Sequence, residues 1–303
     1  MKKIFIVLTI LLVVLTGCAD DNNEAQKNDK FTVAAGIPPI KGFINSIAEE
    51  KIEIVTMIPP GNSPTNYQPS PKELQKFSDS KVYFAMGVPA EESNIIPKVK
   101  DLNEDMEIIH LANSIEQDFP NRYFEEDEEH THEDGETHDD EEGRDPHIWL
   151  SPKRVIAMVD IITDKLIELD SENEDFYIEN SEKYKEELKQ IDESIKQSLE
   201  GVKSQSFIIY HPSFGYFADD YGLNMVAIEE SGKEASAKRI TEVIDFAKEN
   251  NIKFVFYQQE FSSSQAETIA EEIDGKAIKV DPLSEDYIDN MKNISEKFSE
   301  VLN

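Results

Sequence analysis

From Phe31 onward the chain alternates short apolar runs with longer stretches of helical periodicity. "FTVAAGI", "IEIVTMI", "KVYFAMG" and "EIIHLA" are rich in β-branched residues and read as buried strands. "PIKGFINSIAEE" and "SPKELQKFSD" fall between them as helices, the second opening with Ser70 as N-cap and Pro71 at the first helical position. Strand, helix and strand at this spacing predict a parallel sheet with helices on its faces. Residues 125–144 interrupt the rhythm with almost no apolar positions. Residues 151–200 then carry helical periodicity, and the segment from Ser171 to Gly201 reads as a long exposed helix rich in i,i+4 acid–base neighbours. A second alternation follows, through "SFIIY", "FGYFADDYG", "MVAIEE", "SAKRITEVIDFAKENN", "KFVFYQQ", "SSQAETIAEEID", "KAIKV" and a closing helix. The expected fold class is α/β, with two parallel-sheet lobes joined by a long helix. The lobes are expected over 31–170 and 202–303, with the connecting helix over 171–201.

The N-terminus changes the picture of where such a protein works. Lys2 and Lys3 precede "IFIVLTILLVVL", which ends in Leu15-Thr16-Gly17-Cys18. A basic start, a short apolar run and small residues before a cut describe a secretory signal, and the run is short of the roughly 20 residues that span a bilayer. Cys18, the sole cysteine, stands where a bacterial lipobox places its lipid-modified residue. Residues 1–18 are thus expected to be a lipoprotein signal, 19–30 a polar tether, and the mature chain lipid-anchored outside the cell membrane.

Charge excludes one class of partner. The 303 residues carry a formal charge of −33, and a phosphate backbone would be repelled, so nucleic acid is not expected. Four of the six histidines lie between His130 and Pro152, in "HTHEDGETHDDEEGRDPHIWLSP". Ligands bind open parallel sheets beyond the carboxyl ends of the strands, and several positions qualify there. The loop "PPGNSPTNYQPSP" follows the second strand, His147 precedes "IWLSP", His211 follows "SFIIY", and Asp281 follows "KAIKV". Two imidazoles and a carboxylate form a candidate set for Zn²⁺ or another first-row ion. Each also has a plainer reading: His211 as a hydrogen-bonding residue after a strand, Asp281 as the start of a turn before Pro282, His147 as packing beside Trp149.

"DPHIWLSP", "YHPSFGYFADDYGL" and "KVDPLSEDY", with the lipobox and "VTMIPPGNSPTNYQPSPKELQKFSDSKVYFAMG", resemble the matching segments of the substrate-binding lipoproteins of zinc and manganese ABC importers. The resemblance implies two α/β lobes with one metal ion in the cleft between them, a monomer that hands its cargo to the transmembrane subunit of an ABC permease. By position, His147, His211 and Asp281 match metal ligands of that family. In its manganese branch the position of His211 is usually Glu, so the chain leans towards Zn²⁺, with Mn²⁺ or Fe²⁺ as the alternative cargo. The family's first ligand, a His, is replaced here by Thr65, whose hydroxyl is a poor zinc ligand. Water, the Asn66 amide or a loop His is then expected at the fourth position. His130, His132 and His138 are expected to form a weak auxiliary metal-binding loop. A three-ligand zinc hydrolase is the rival from another class, but no HExxH, GxSxG or Walker A sequence is present. Glu229 and Glu230 are conceivable bases, but a helix start before "SGKEASAKRI" explains them better.

Overall fold

The computed structural model describes residues 30–124, 143–229, 234–261 and 263–303. Its first part contains β1 (Thr32–Ala35), α1 (Pro38–Ala48), β2 (Glu53–Thr56), α2 (Pro71–Phe77), β3 (Ser80–Ala85), α3 (Val99–Leu102), β4 (Glu107–His110) and α4 (Leu111–Ser114). Next come α5 (Pro152–Leu169) and α6 (Glu174–Leu199), separated by a 3-10 turn at Ser171–Asn173. The last part holds β5 (Ser206–Ile209), α7 (Gly215–Tyr221), β6 (Asn224–Ala227), α8 (Ala237–Glu249), β7 (Phe254–Gln258), α9 (Ser264–Glu272), β8 (Lys276–Val280) and α10 (Tyr287–Leu302). All strand pairings are parallel, and the two sheets have one topology, β2-β1-β3-β4 and β6-β5-β7-β8. Each sheet therefore reverses its strand order once, between β1 and β3 and between β5 and β7. Such a reversal opens a crevice at the carboxyl edge.

Local chemistry sets the element ends. Ser70 and Glu73 form a reciprocal capping box at α2: the Ser70 hydroxyl accepts from the Glu73 N–H, and the Glu73 carboxylate accepts from the Ser70 N–H. Ser151, which also precedes a proline, does not cap α5; its hydroxyl donates to Asp220 Oδ2 at 2.5 Å. Arg154 and Lys153 grip the same carboxylate, so the start of α5 is bolted to α7.

The expectation of an exposed connecting helix is corrected. Tyr177, Ser181, Tyr184, Leu188, Ile191, Ile195 and Leu199 of α6 are buried, one every three or four residues, and the helix packs against α5, α10 and α1. Most of its charged residues occupy the opposite face, while Lys185 pairs with Asp160 of α5 at 2.7 Å and Asp192 accepts from the Tyr221 hydroxyl at 2.7 Å. Asn180 donates to the Ile47 carbonyl of α1 at 3.0 Å, and Ser198 bonds Ser295 of α10 at 2.6 Å. One apolar cluster accordingly runs from the first sheet through α5 and α6 into Phe207, Phe256 and Phe298 of the second part. Among the described residues, no helix is long and apolar enough to cross a membrane.

At the first switch point the crevice is filled from within. Glu91 is fully buried, and its Oε2 accepts the N–H groups of Met86, Gly87 and Val88 at 3.0, 2.7 and 3.0 Å. Oε1 accepts from the Tyr83 hydroxyl at 2.7 Å. Burial pushes this carboxyl up to about 7 although the four donors oppose the shift. A Cβ on Gly36, at the end of β1, would stand 1.7 Å from Glu91 Oε1, so only glycine fits there.

Candidate metal centre

The second switch point is open to function. His211 leaves β5 with its backbone held by the fully buried Gln258 at the end of β7. The Gln258 side chain accepts from His211 N–H at 3.3 Å and donates to His211 O at 2.7 Å. Phe261 stacks on the imidazole with centroids 4.4 Å apart and planes at 21°. Nδ1 lies 2.7 Å from Oε2 of Glu229, the buried residue that follows β6.

His147 is built from the other side. The "DPH" turn folds Asp145 back so that its Oδ1 receives both the His147 N–H, at 3.0 Å, and Nδ1, at 2.8 Å. Asp145 Oδ2 is paired with Arg122 Nη1 at 3.1 Å, and Arg122 Nε reaches Asp219 of α7 at 3.1 Å. Two residues on, Trp149 donates its indole N–H to the Pro282 carbonyl at 2.7 Å, while Tyr287 donates to the Trp149 carbonyl at 2.8 Å. The His147 segment is thereby fastened to the segment that carries Asp281.

These supports bring the two imidazoles together, 64 residues apart in sequence, with Nε2 facing Nε2 at 3.2 Å. A carboxylate can only accept, so each Nδ1 carries a proton, and in a neutral ring of that tautomer Nε2 carries the lone pair. Two nitrogens bound tetrahedrally to zinc at about 2.0–2.1 Å stand roughly 3.3 Å apart, close to the spacing seen. Burial holds the His211 pKa below its ordinary value, against the pull of Glu229 and with the help of His147, which keeps the ring neutral and able to ligate. The donor set therefore suits a borderline-soft divalent cation.

The other expected ligands are placed less closely. Asp281 follows β8, half-buried; its Oδ1 accepts the Leu283 N–H at 2.9 Å and so starts the turn that the plainer reading foresaw. Thr65 and Asn66 lie in the loop after β2, where Thr65 N–H donates to Ser63 Oγ at 3.2 Å and Asn66 is exposed. Among the described residues, no three of His, Cys, Asp and Glu are grouped closely enough to hold an ion. His130, His132, His138, Cys18 and Glu230 lie outside the described residues.

Three carboxylates near the imidazoles stand outside the ligand set expected from sequence. Asp145 was visible in the "DPH" spacing. Glu229 was placed at a helix start, but the next helix begins at Ala237 and Glu229 instead terminates a strand against His211. A third, Glu260, lies just beyond β7 with a buried Oε2 that has no hydrogen-bond partner among the described residues.

The family described as zinc-uptake complex component A, periplasmic, matches residues 33–301. The zinc-binding lipoprotein AdcA of Streptococcus pneumoniae serotype 4 is 29% identical over 290 residues, covering 93% of this chain and 56% of the relative. The chain thus spans about half the length of the streptococcal proteins it matches. The high-affinity zinc uptake system protein ZnuA of Bacillus subtilis strain 168 is 29% identical over 275 residues, 88% of this chain and 83% of the relative. A crystal structure of ZnuA superposes with a TM-score of 0.80 at 32% identity, covering 91% of this chain and all of that one. A zinc-bound ZnuA with residues 138–173 of its own chain deleted gives 0.79 at 32% identity, covering 91% and 99%. The Treponema pallidum zinc-binding protein TroA, at 15% identity and a TM-score of 0.77, shares the fold. With two parallel α/β sheets of one topology and a family match spanning nearly all described residues, the chain belongs to the ZnuA family of periplasmic zinc-uptake components.

Proposed function

We propose that the protein captures Zn²⁺ outside the cell membrane and delivers it to an ABC importer, acting as a receptor and not as an enzyme. The observation that carries this reading is the facing pair of Nε2 atoms at 3.2 Å, each imidazole oriented by a carboxylate on Nδ1. Such a pair offers two lone pairs to one ion. His147 and His211 are the nitrogen ligands in this proposal. Asp281 joins them through Oδ2 after a small inward movement, since Oδ1 is engaged in its turn. A lipid on Cys18 would hold the receptor at the membrane beside its permease. The histidines at 130, 132 and 138 would concentrate cations near the cleft without forming the main site. Mn²⁺ favours oxygen-rich shells, and Mn²⁺ and Fe²⁺ both bind a given nitrogen and oxygen site more weakly than Zn²⁺, which places them behind zinc.

Trp149 is the only tryptophan of the chain, and its ring centroid lies 5.2 Å from that of His147. Titration with Zn²⁺ is therefore expected to change its fluorescence and saturate at one ion per cleft. His211→Ala is expected to abolish the response, whereas alanine at 130, 132 and 138 together leaves it. A saturating response that survives in the His211 variant would rule the proposed site out.

A further inference from the structure

We propose that Glu260 is a ligand of the captured cation, supplied by the second lobe in place of the imidazole that Thr65 cannot provide. The inference rests on the zinc-capture reading above and names the donor it leaves open. Sheet order makes the first argument. Because the strands run β6-β5-β7-β8, the residues leaving their carboxyl ends line up as Glu229, His211, Glu260 and Asp281. An ion held between His211 and Asp281 must lie beside the exit of β7, where Glu260 stands.

The β7 exit also touches both sides of the cleft. Phe261, the next residue, is the ring stacked on His211. Gln259, the preceding one, faces the loop that carries Thr65: a Cβ built on Gly61 would be 3.8 Å from Gln259 Nε2. Glu260 thus lies in the chain between a residue that stacks on His211 and one that faces the loop carrying Thr65.

Its chemistry asks for a positive partner. Oε2 is buried without a hydrogen-bond donor among the described residues. Lys279, a nearby cation, is engaged with Gln259 Oε1 at 2.5 Å. The register that pairs Gln258 of β7 with Val280 of β8 makes Glu260 and Asp281 leave neighbouring strand ends. An unpaired acceptor beside a second carboxylate is unfavourable in the metal-free protein and becomes favourable when a divalent cation enters. Glu260 and Asp281, which are not grouped closely enough with the imidazoles in the metal-free protein, would draw in around the ion and complete four nitrogen and oxygen donors, the number tetrahedral zinc takes.

The test is Glu260→Gln, which keeps shape and removes charge. Zinc affinity is measured by chelator competition, and metal-free stability by thermal unfolding. Affinity is expected to fall by at least the roughly tenfold that even outer-sphere partners of metal ligands cost, while the metal-free midpoint holds or rises. Thr65→His added to Glu260→Gln is expected to restore binding. Unchanged affinity in Glu260→Gln overturns the proposal, as does a loss matched by an equal fall in metal-free stability. Failure of Thr65→His to restore binding overturns the idea that the two side chains fill one coordination place. His211→Ala separates the two levels. If it too leaves affinity unchanged, the capture reading itself falls; if it abolishes binding while Glu260→Gln does not, only the role of Glu260 is lost.

Discussion

Replacing Trp149 by Phe isolates the link between the His147 segment and the loop bearing Asp281. The substitution keeps an aromatic ring in a fully buried place but deletes the indole N–H that bonds Pro282 O at 2.7 Å. A buried carbonyl left without its donor costs about 1–3 kcal/mol. The smaller ring also leaves a void of a few tens of Å³, which adds roughly 1 kcal/mol at about 24 cal/mol per Å³. The sum is about 2–4 kcal/mol of stability. Because the lost bond connects the residue two after His147 to the residue after Asp281, zinc affinity is expected to fall as well, by roughly tenfold. Urea unfolding followed by circular dichroism reads the first quantity, since the variant has no tryptophan, and chelator competition reads the second. A stability change under about 0.5 kcal/mol together with unaltered affinity would refute the reasoning: the Trp149–Pro282 bond would then carry neither stability nor site geometry.

Two further predictions concern the imidazoles. Asp145→Asn leaves one acceptor oxygen where two carboxylate oxygens serve Arg122 and His147; with that oxygen turned to the donor-only Arg122, an NH2 group meets His147 Nδ1 and disfavours the Nδ1–H tautomer. Zinc affinity is expected to drop about 10–100-fold, and nitrogen-15 spectra of the metal-free protein should show the His147 proton shifting towards Nε2. The depressed pKa of His211 makes metal-free stability depend on pH. The unfolded chain takes up the proton first, at an imidazole pKa of about 6.5, so stability is fully present above that pH and declines as pH falls below it. Thermal melts between pH 8 and 5 should lose part of this slope in His211→Asn.

The strands and most helices were legible because their signals are local. Runs such as "KVYFAMG" admit few other readings, and Ser70, Pro71 and Glu73 announce a helix start within four residues. Helix α6 misled for a physical reason: its buried stripe is made partly of Tyr177, Ser181 and Tyr184 and is diluted by charges on the outer face. The two imidazoles that the structure brings together were legible through strand ends and family likeness. What orients the imidazoles was not. Glu229 is 18 residues from His211 in sequence, and only the pairing of β5 with β6 brings them to 2.7 Å. Glu260 was hidden for a related reason: a carboxylate in a polar run looks solvated until burial singles out its unpaired oxygen.

The buried Glu91 has a consequence for how the two halves divide their labour. Three consecutive backbone N–H groups at the end of a parallel strand make a cradle of the kind that binds phosphate or carboxylate in other α/β proteins. Here the cradle is permanently filled by the protein's own side chain, so an external anion has no entry there. Of the two switch points, the first is thus closed by Glu91, and residues around His211 can change without disturbing the architecture of its twin.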